Sequence, residues 1–265
     1  MTESFSILCD QVRLSGVLHL PDGIQNKKVP LIVLLHGFVG SKVGEHRLFV
    51  KAARNFSEKG YAVFRFDFSG CGESDGDYAD VTVTKQLKEV QVVLDYVSNL
   101  KEVDANNIIL IGHSLGGAVA SLTAAGNQQI RKLILWSPVA KPYEDIVAIV
   151  GDTALQTARI LGLFDYNGFY VSQHFLDDLK SHHPLEAIRS YEGQLLVIHA
   201  AEDEDVPKEN AVYYTESLKR GSTVNIRYIK EANHTFASYS FEEKLFEETI
   251  RWLEKSEVHS GEVAL

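Results

Sequence analysis

The stretch Ile108-Ile-Leu-Ile-Gly-His-Ser-Leu-Gly-Gly117 is an apolar run that passes into the pattern Gly-x-Ser-x-Gly. Small, helix-favouring residues follow it directly at 118–125. This order predicts a strand, a sharp turn and a helix, with Ser114 at the tip of the turn. Such a turn strains the serine backbone and leaves no room for side chains at Gly112 and Gly116. Ser114 is therefore the predicted nucleophile, and the alternative is a glycine-rich turn whose serine only caps the helix.

The composition predicts one substantial hydrophobic core and argues against binding to polyanions. The chain has 265 residues, 45% of them hydrophobic, which is enough for a single α/β domain. The formal net charge is −10 and the basic residues are scattered, which argues against nucleic acid or an anionic membrane as a partner. No apolar run approaches the roughly 20 residues of a membrane span, and residues 1–10 lack the pattern of a secretory signal. We expect a cytoplasmic protein and leave open whether it forms a homodimer.

The two cysteines, Cys9 and Cys71, lie far apart in the chain. We expect both thiols to be reduced. No spacing of cysteine and histidine resembles a zinc site. The sequence therefore calls for no metal.

Strand and helix patterns alternate along most of the chain. Strands are predicted at 12–20, 29–36, 61–67, 108–111, 133–136, 195–199 and 224–229, and helices at 48–58, 83–100 and 241–255. Repeated strand, helix, strand units predict a mostly parallel sheet with helices on both faces.

One long segment breaks this alternation, since it contains no clear buried strand. Residues 145–164 and 168–179 instead place apolar residues three and four apart, as amphipathic helices do. We expect a body formed by residues 1–137 and 191–265, and a helical cap formed by residues 138–190. Its position predicts that the cap covers the carboxyl ends of the strands, where open α/β sheets bind ligands. A purely structural insertion is the alternative.

Five motifs stand out along the chain. They are His36-Gly-Phe38, Phe64-Arg-Phe-Asp-Phe-Ser-Gly-Cys-Gly-Glu-Ser-Asp-Gly76, Gly112-His-Ser-Leu-Gly-Gly117, His199-Ala-Ala-Glu-Asp-Glu-Asp-Val-Pro207 and Asn233-His-Thr-Phe236. Together they resemble the α/β-hydrolase superfamily over nearly the whole chain. Within it, the chain is most similar to the bacterial cinnamoyl and feruloyl esterases and related carboxylesterases. The resemblance implies an α/β-hydrolase fold with a helical cap.

A serine nucleophile needs a histidine base, and that base needs an acid to hold its tautomer. The superfamily places them in the chain order serine, acid, histidine. His234 and His259 follow the last acidic loop, and His259 lies in a polar tail, so His234 is the predicted base. Four acids are adjacent at 202–205. The family pattern sets an acid three positions before Val-Pro, which selects Asp203 and leaves Asp205 as the alternative.

The resemblance also implies an oxyanion hole made by the backbone N–H groups of Phe38 and Leu115. These two residues would act through position and not through their side chains. His36 is expected to have a structural hydrogen-bonding role. The loop 67–76 is expected to be turn architecture without chemistry.

The implied activity is that of a serine carboxylesterase acting on a small-molecule ester by two-step acyl transfer, with no cofactor. Short-chain or aromatic acyl esters of the hydroxycinnamoyl type are the expected substrates. Asp145, Phe169 and Tyr170 of the cap are predicted to contact the substrate. The alternative for Phe169 and Tyr170 is that they pack the cap onto the body.

Three other functions stay open from the sequence. A monoacylglycerol lipase would share every motif and differ in the apolar lining of its cap. A serine peptidase of the same fold would place an acid in the cap to bind a free amino terminus, and Glu144, Asp145 and Asp152 are the candidates. A protein that binds or signals without turnover is the third, because a fold does not establish a function.

Overall fold

The structure is a computed structural model that describes residues 1–24, 27–219 and 223–261, with side chains as far as Lys255. Its strands are β1 (Thr2–Cys9), β2 (Val12–His19), β3 (Val29–Leu35), β4 (Ala62–Phe66), β5 (Val103–His113), β6 (Ile130–Trp136), β7 (Leu163–Tyr166), β8 (Phe169–Ser172), β9 (Gln194–Ala200) and β10 (Val224–Ile229). Its α-helices are α1 (Leu48–Glu58), α2 (Val83–Ser98), α3 (Leu115–Gly126), α4 (Pro142–Leu161), α5 (Gln173–Leu179), α6 (Pro184–Ala187), α7 (Glu209–Ser217) and α8 (Tyr239–Gly261).

Eight strands form one sheet in the order β1-β2-β4-β3-β5-β6-β9-β10. Strand β2 is antiparallel to both of its neighbours, and every pair from β4 to β10 is parallel. The predicted α/β architecture with a mostly parallel sheet is therefore confirmed. The carboxyl ends of β3, β5, β6 and β9 lie along one edge, where the motif loops begin.

The core lies on both faces of this sheet. Along β3, Leu31 and Val33 join one apolar cluster, whereas Ile32 and Leu34 join the other. The second cluster is completed by side chains of α1 and α8, and the first by those of α2 and α3. Covering both faces explains why the central strands read as continuous apolar runs instead of alternating ones.

Two elements of the body had no prediction. Strand β1 is an edge strand with mostly exposed residues, so its sequence Thr-Glu-Ser-Phe-Ser lacks the apolar run of a buried strand. Helix α7 buries only Asn210, Ala211 and Tyr214, too few to give a clear helical stripe.

The segment of the predicted cap differs from the expected pair of helices. Helix α4 matches the first helical pattern, 145–164, as far as Leu161, and β7 begins at Leu163. The helix is also broken at Gly151, which has φ 80° and ψ 166°. The second pattern was wrong over its first residues, because β7 and β8 form an antiparallel hairpin and α5 begins only at Gln173. The hairpin turns at Asn167 and Gly168, both with positive φ. Asn-Gly is a strong sequence signal for such a turn.

Two findings bear on the predictions from composition. Cys9 and Cys71 are free and buried. No helix within the described ranges combines the length and the apolar character needed to cross a bilayer.

Candidate active site

Ser114 lies in the sharp turn that joins β5 to α3. Its backbone has φ 57° and ψ −125°, a conformation that L-residues rarely adopt. A Cβ atom on Gly112 would lie 2.2 Å from the carbonyl oxygen of Gly116, and one on Gly116 would lie 2.3 Å from that of Leu35. The strained, tightly packed turn predicted from the sequence is therefore present, and it presents Ser114 at the carboxyl edge of the sheet.

The turn after β3 lies directly against Ser114. The Gly40 N–H donates to the Gly37 carbonyl at 3.2 Å, which places Phe38 and Val39 at the centre of the turn. A Cβ atom on Gly37 would lie 2.8 Å from the Ser114 Cβ. Leu115 is the first residue of α3, so its N–H has no acceptor within its own helix. The two amides predicted for the oxyanion hole thus belong to segments that meet at Ser114.

His36 fixes this turn to the next loop. Its Nδ1–H donates to the Gly37 carbonyl at 3.0 Å, and its Nε2 accepts the Phe68 N–H at 3.1 Å. Burial lowers the pKa of His36, which keeps the ring neutral in this role. The expected structural hydrogen bonding of His36 is therefore present.

The loop 67–76 holds the segment that follows β3 through contacts to Lys42. The buried Asp67 carboxylate accepts the Lys42 N–H and the Lys42 ammonium, each at 2.5 Å, and the Glu73 N–H at 2.9 Å. A Cβ atom on Gly72 would lie 2.3 Å from the Asp67 carboxyl carbon. The loop acts as turn architecture, as expected, and it braces the segment that contains Phe38.

His234 and Asp203 form a hydrogen-bonded pair. The His234 Nδ1–H donates to Asp203 Oδ2 at 2.8 Å, and the Asp203 side chain is shielded from solvent. Asp203 Oδ1 accepts the N–H groups of Asp205 and Val206 at 3.1 and 2.8 Å. The second of these bonds is the physical reason for the three-residue spacing to Val206. Asp205 is exposed, so Asp203 is the acid that the fold brings to His234.

The ionisation of Asp203 follows from the same contacts. Burial would raise the pKa of its carboxyl, but hydrogen bonds from His199 and His234 outweigh that effect and lower the pKa well below its usual range. The carboxylate therefore stays charged opposite His234. Donor atoms of Asp203, Asp205 and His234 also lie within 4.8 Å of one another. His234 Nδ1 carries the proton of the pair, so only Nε2 of this ring has a lone pair.

Two histidines without a predicted role support the pair. His199 is fully buried, and its Nε2 lies 3.2 Å from the Val206 carbonyl oxygen and 3.3 Å from Asp203 Oδ2. His113 donates through Nε2 to the His234 carbonyl oxygen at 3.0 Å. Burial and then the neighbouring His234 lower the pKa of His113 to about 3, so its ring is neutral. Both residues lie inside the quoted motifs, which is the signal that could have drawn attention to them.

Two cavities meet at Ser114. They share Phe38, Glu45, Ser114, His234 and Thr235 in their walls. The smaller, of about 80 Å³, extends beneath the turn after β3 towards Leu48 and Phe49 of α1. The larger, of about 570 Å³, extends under the predicted cap, which contributes Ile149, Tyr166 and Asn167.

The three predicted cap contacts lie elsewhere, which corrects the prediction for them. Asp145 is buried and accepts the N–H groups of Ala140 and Lys141 and the Asn210 amide, so it anchors the start of α4. Phe169 packs on Tyr78 with ring centroids 5.2 Å apart, and Tyr170 is 54% exposed on the outer side of the hairpin. The sequence missed Tyr166 and Asn167 because the hairpin was not recognised, whereas Ile149 lies in the predicted first helix, whose spacing does not show which residue faces the cavity.

His259, the other histidine after the last acidic loop, was not predicted as the base. It lies near the end of α8, and its side chain is outside the described residues.

Comparison with known proteins gives one family and several relatives. The sequence pattern of the family described as serine aminopeptidase, S33 matches residues 26–166. The structure of Est1E from Butyrivibrio proteoclasticus with ferulic acid bound superposes with a TM-score of 0.82, at 27% identity, over 95% of this chain and 98% of that one.

Curated relatives match over a shorter stretch. The putative esterase/lipase 2 of Mycoplasma genitalium is 38% identical over 117 residues, which is 43% of this chain and 39% of that protein. The mitochondrial palmitoyl-protein thioesterase ABHD10 of Mus musculus is 33% identical over 125 residues, which is 47% of this chain and 34% of that protein. The chain thus matches less than half the length of either relative.

Proposed function

This chain belongs to the serine aminopeptidase, S33 family of α/β hydrolases, and we propose that it is a serine carboxylesterase with Ser114, Asp203 and His234 as its catalytic residues. One observation carries the proposal. His234 is oriented by a buried carboxylate through Nδ1 and shares two cavities with a strained serine at a helix start. This is the arrangement that nucleophilic acyl transfer requires.

In the first step, the Ser114 hydroxyl attacks the ester carbonyl carbon while His234 Nε2 takes its proton. The proton already on Nδ1 stays in the hydrogen bond to Asp203, whose charge stabilises the imidazolium. The N–H groups of Phe38 and Leu115 receive the carbonyl oxygen as it becomes an oxyanion. Each such donor lowers the barrier by about 3 to 4 kcal/mol.

Collapse of the tetrahedral intermediate breaks the bond to the alcohol, and His234 protonates the departing oxygen. Water then attacks the acyl-serine ester, with His234 again as base, and releases the acid and the free serine. His113 stays neutral beside these events, and His199 stays buried next to Asp203. Each holds one member of the pair in place, His113 through the His234 carbonyl and His199 through the Asp203 carboxylate.

The proposed substrates are esters with a short or aromatic acyl group. The larger cavity is walled partly by the rings of Phe38 and Tyr166, which suits an aromatic group. The relative Est1E, similar in structure over nearly its full length, has been seen with ferulic acid bound. The smaller cavity, of about 80 Å³, has room only for a small group on the other side of the scissile bond.

Labelling and kinetics test this proposal together. The wild-type chain should react with a fluorophosphonate probe and hydrolyse p-nitrophenyl acetate and methyl ferulate. Ser114→Ala should lose the label and almost all turnover, retaining about 10³ over the uncatalysed rate from binding and oxyanion contacts. Near-parental turnover by Ser114→Ala would refute the assignment of the nucleophile. Faster cleavage of long-chain monoacylglycerols than of any aryl ester would move the function to a lipase.

A second candidate is release of amino-terminal residues, the activity that gives the family its description. The larger cavity has carboxylates on its wall and no lysine or arginine among its described lining residues; the acids are Glu45, Glu202, Glu204 and Asp205. Such a wall attracts an ammonium group. The acids expected in the cap do not supply it. Asp145 is occupied by backbone amides, Glu144 lines a different cavity, and Asp152 is exposed and is not part of the wall of this cavity. Cleavage of aminoacyl p-nitroanilides faster than of p-nitrophenyl acetate would favour this candidate.

A further inference from the structure

The turn that presents the Phe38 amide is held in an unfavourable conformation. Val39, its second central residue, has φ 46°. A β-branched residue rarely adopts a positive φ, because its side chain crowds the backbone there. Such a conformation persists only where surrounding contacts enforce it. The contacts of Val39 and Phe38 therefore decide where the Phe38 N–H points.

The backbone contact comes from Tyr78, 39 residues further along the chain. The Val39 N–H donates to the Tyr78 Oη at 3.0 Å. Tyr78 is only 4% exposed and lies in the single helical turn that follows the loop 67–76. Burial raises the pKa of Tyr78 well above its usual value, so the phenol is neutral and its oxygen accepts the bond.

Ring contacts hold Tyr78 and Phe38 together from the side of the predicted cap. The Phe38 ring stacks on Phe175 of α5 at 5.6 Å and packs on Tyr166 of β7 at 5.2 Å. Tyr78 in turn packs edge-on against Phe38 at 6.0 Å and against Phe169 of β8 at 5.2 Å. The side chain of Phe38 therefore has a role of its own, in contrast to the expectation that this residue matters only by position.

We infer that Tyr78 is a positioning residue for the oxyanion hole: its hydroxyl holds the strained turn at Val39 and thereby aims the Phe38 N–H at the oxygen above Ser114. The inference rests on the proposed function. It predicts that loss of the hydroxyl weakens binding of the transition state and leaves binding of the ground state intact, because the amide is needed only when negative charge develops.

The test compares Tyr78→Phe with Tyr191→Phe. Both changes remove one buried phenolic hydroxyl that hydrogen-bonds to the backbone. The Tyr191 hydroxyl donates to the Gln194 carbonyl at 3.3 Å, at the start of β9 and away from Ser114, so Tyr191→Phe is the control. Thermal unfolding of both variants shows whether they fold alike. Steady-state hydrolysis of p-nitrophenyl acetate gives kcat and KM, and inhibition by phenylboronic acid, which forms a tetrahedral adduct with a catalytic serine, reports on the oxyanion hole.

Tyr78→Phe should lower kcat about tenfold, a part of the 10²–10³ that deletion of a direct oxyanion donor costs. KM should change less than twofold, the phenylboronic acid inhibition constant should rise in proportion to the loss in kcat, and Tyr191→Phe should change none of these. Unchanged kcat in Tyr78→Phe, or a rise in KM alone, would overturn the inference. A wild-type chain that neither turns over esters nor reacts with a fluorophosphonate would refute the proposed function instead.

Discussion

Replacing Asp203 with asparagine should reverse the tautomer of His234. In the wild-type chain, Oδ1 accepts the backbone N–H groups of Asp205 and Val206, and Oδ2 accepts the Nδ1–H of His234. An asparagine has one acceptor oxygen, and the two backbone amides fix it at the Oδ1 position. Its NH₂ group then faces His234 Nδ1, which must accept, so the imidazole proton moves to Nε2.

The magnitude follows from that shift. With its proton on Nε2, His234 presents a donor to Ser114 and is unable to take the hydroxyl proton. The loss in kcat should be on the order of 10⁴, which corresponds to about 5.4 kcal/mol in the barrier. Asp205→Asn is the matched control, because Asp205 is exposed and makes no hydrogen bond to His234 among the described contacts. It should change kcat less than about threefold.

Steady-state hydrolysis of p-nitrophenyl acetate near neutral pH gives kcat for both variants, and thermal unfolding checks that each is folded. A larger loss in Asp205→Asn than in Asp203→Asn would show that the chain uses the other acid. A loss below tenfold in a folded Asp203→Asn would show that the tautomer of His234 does not depend on this carboxylate.

Three further outcomes are expected. Gly37→Ala should lower kcat about 10²-fold, because its Cβ would lie 2.8 Å from the Ser114 Cβ and displace the turn. Gly126→Ala is the control, because a Cβ atom there meets open space, and it should leave kcat unchanged. Equal kcat values for the two variants would contradict this expectation. Burial lowers the pKa of His19 to about 4. Between pH 6.5 and 4 the unfolded chain therefore binds a proton at His19 that the folded chain does not bind, so the free energy of unfolding should fall as the pH falls from 6.5 to 4. The pKa values of His36 and His113 are lowered as well, so His19→Gln should reduce this slope in urea titrations without abolishing it, and an unchanged slope would exclude His19 as a source. Glu204→Lys should raise kcat/KM for an ester with a free carboxylate about tenfold at low ionic strength and less at high salt; a gain that does not depend on salt would rule out an electrostatic cause.

The body of the protein was predictable because its signals are local. Strands covered on both faces appear as unbroken apolar runs, and β10 and α1 begin and end where the sequence places them. The turn at Ser114 was predictable for a related reason, since the closeness of Gly112 and Gly116 to backbone oxygens admits no other residue.

The predicted cap was less predictable because its contacts join distant parts of the chain. Asp145 has the chemistry of a substrate-binding residue, but its partner Asn210 lies 65 positions away. Tyr78 lies just outside the quoted motifs, and its bond partner Val39 is 39 positions earlier in the chain, so no local signal pointed to it. The hairpin is a different case. Asn167-Gly168 does indicate a tight turn, but the neighbouring apolar residues have helical spacing, and that spacing led to the prediction of a helix.

The break in α4 determines where chimaeras of this protein with its relatives should be joined. The half of α4 before Gly151 is bound to α7 through Asp145 and the buried Asn210. Exchange of the whole predicted cap from the end of β6 would remove Asp145 and deprive the Asn210 amide of its main acceptor, which is costly in a buried site. A junction at Gly151 keeps that bond with the body, and glycine must be retained there because φ is 80°. Libraries that exchange the predicted cap should therefore begin at residue 152.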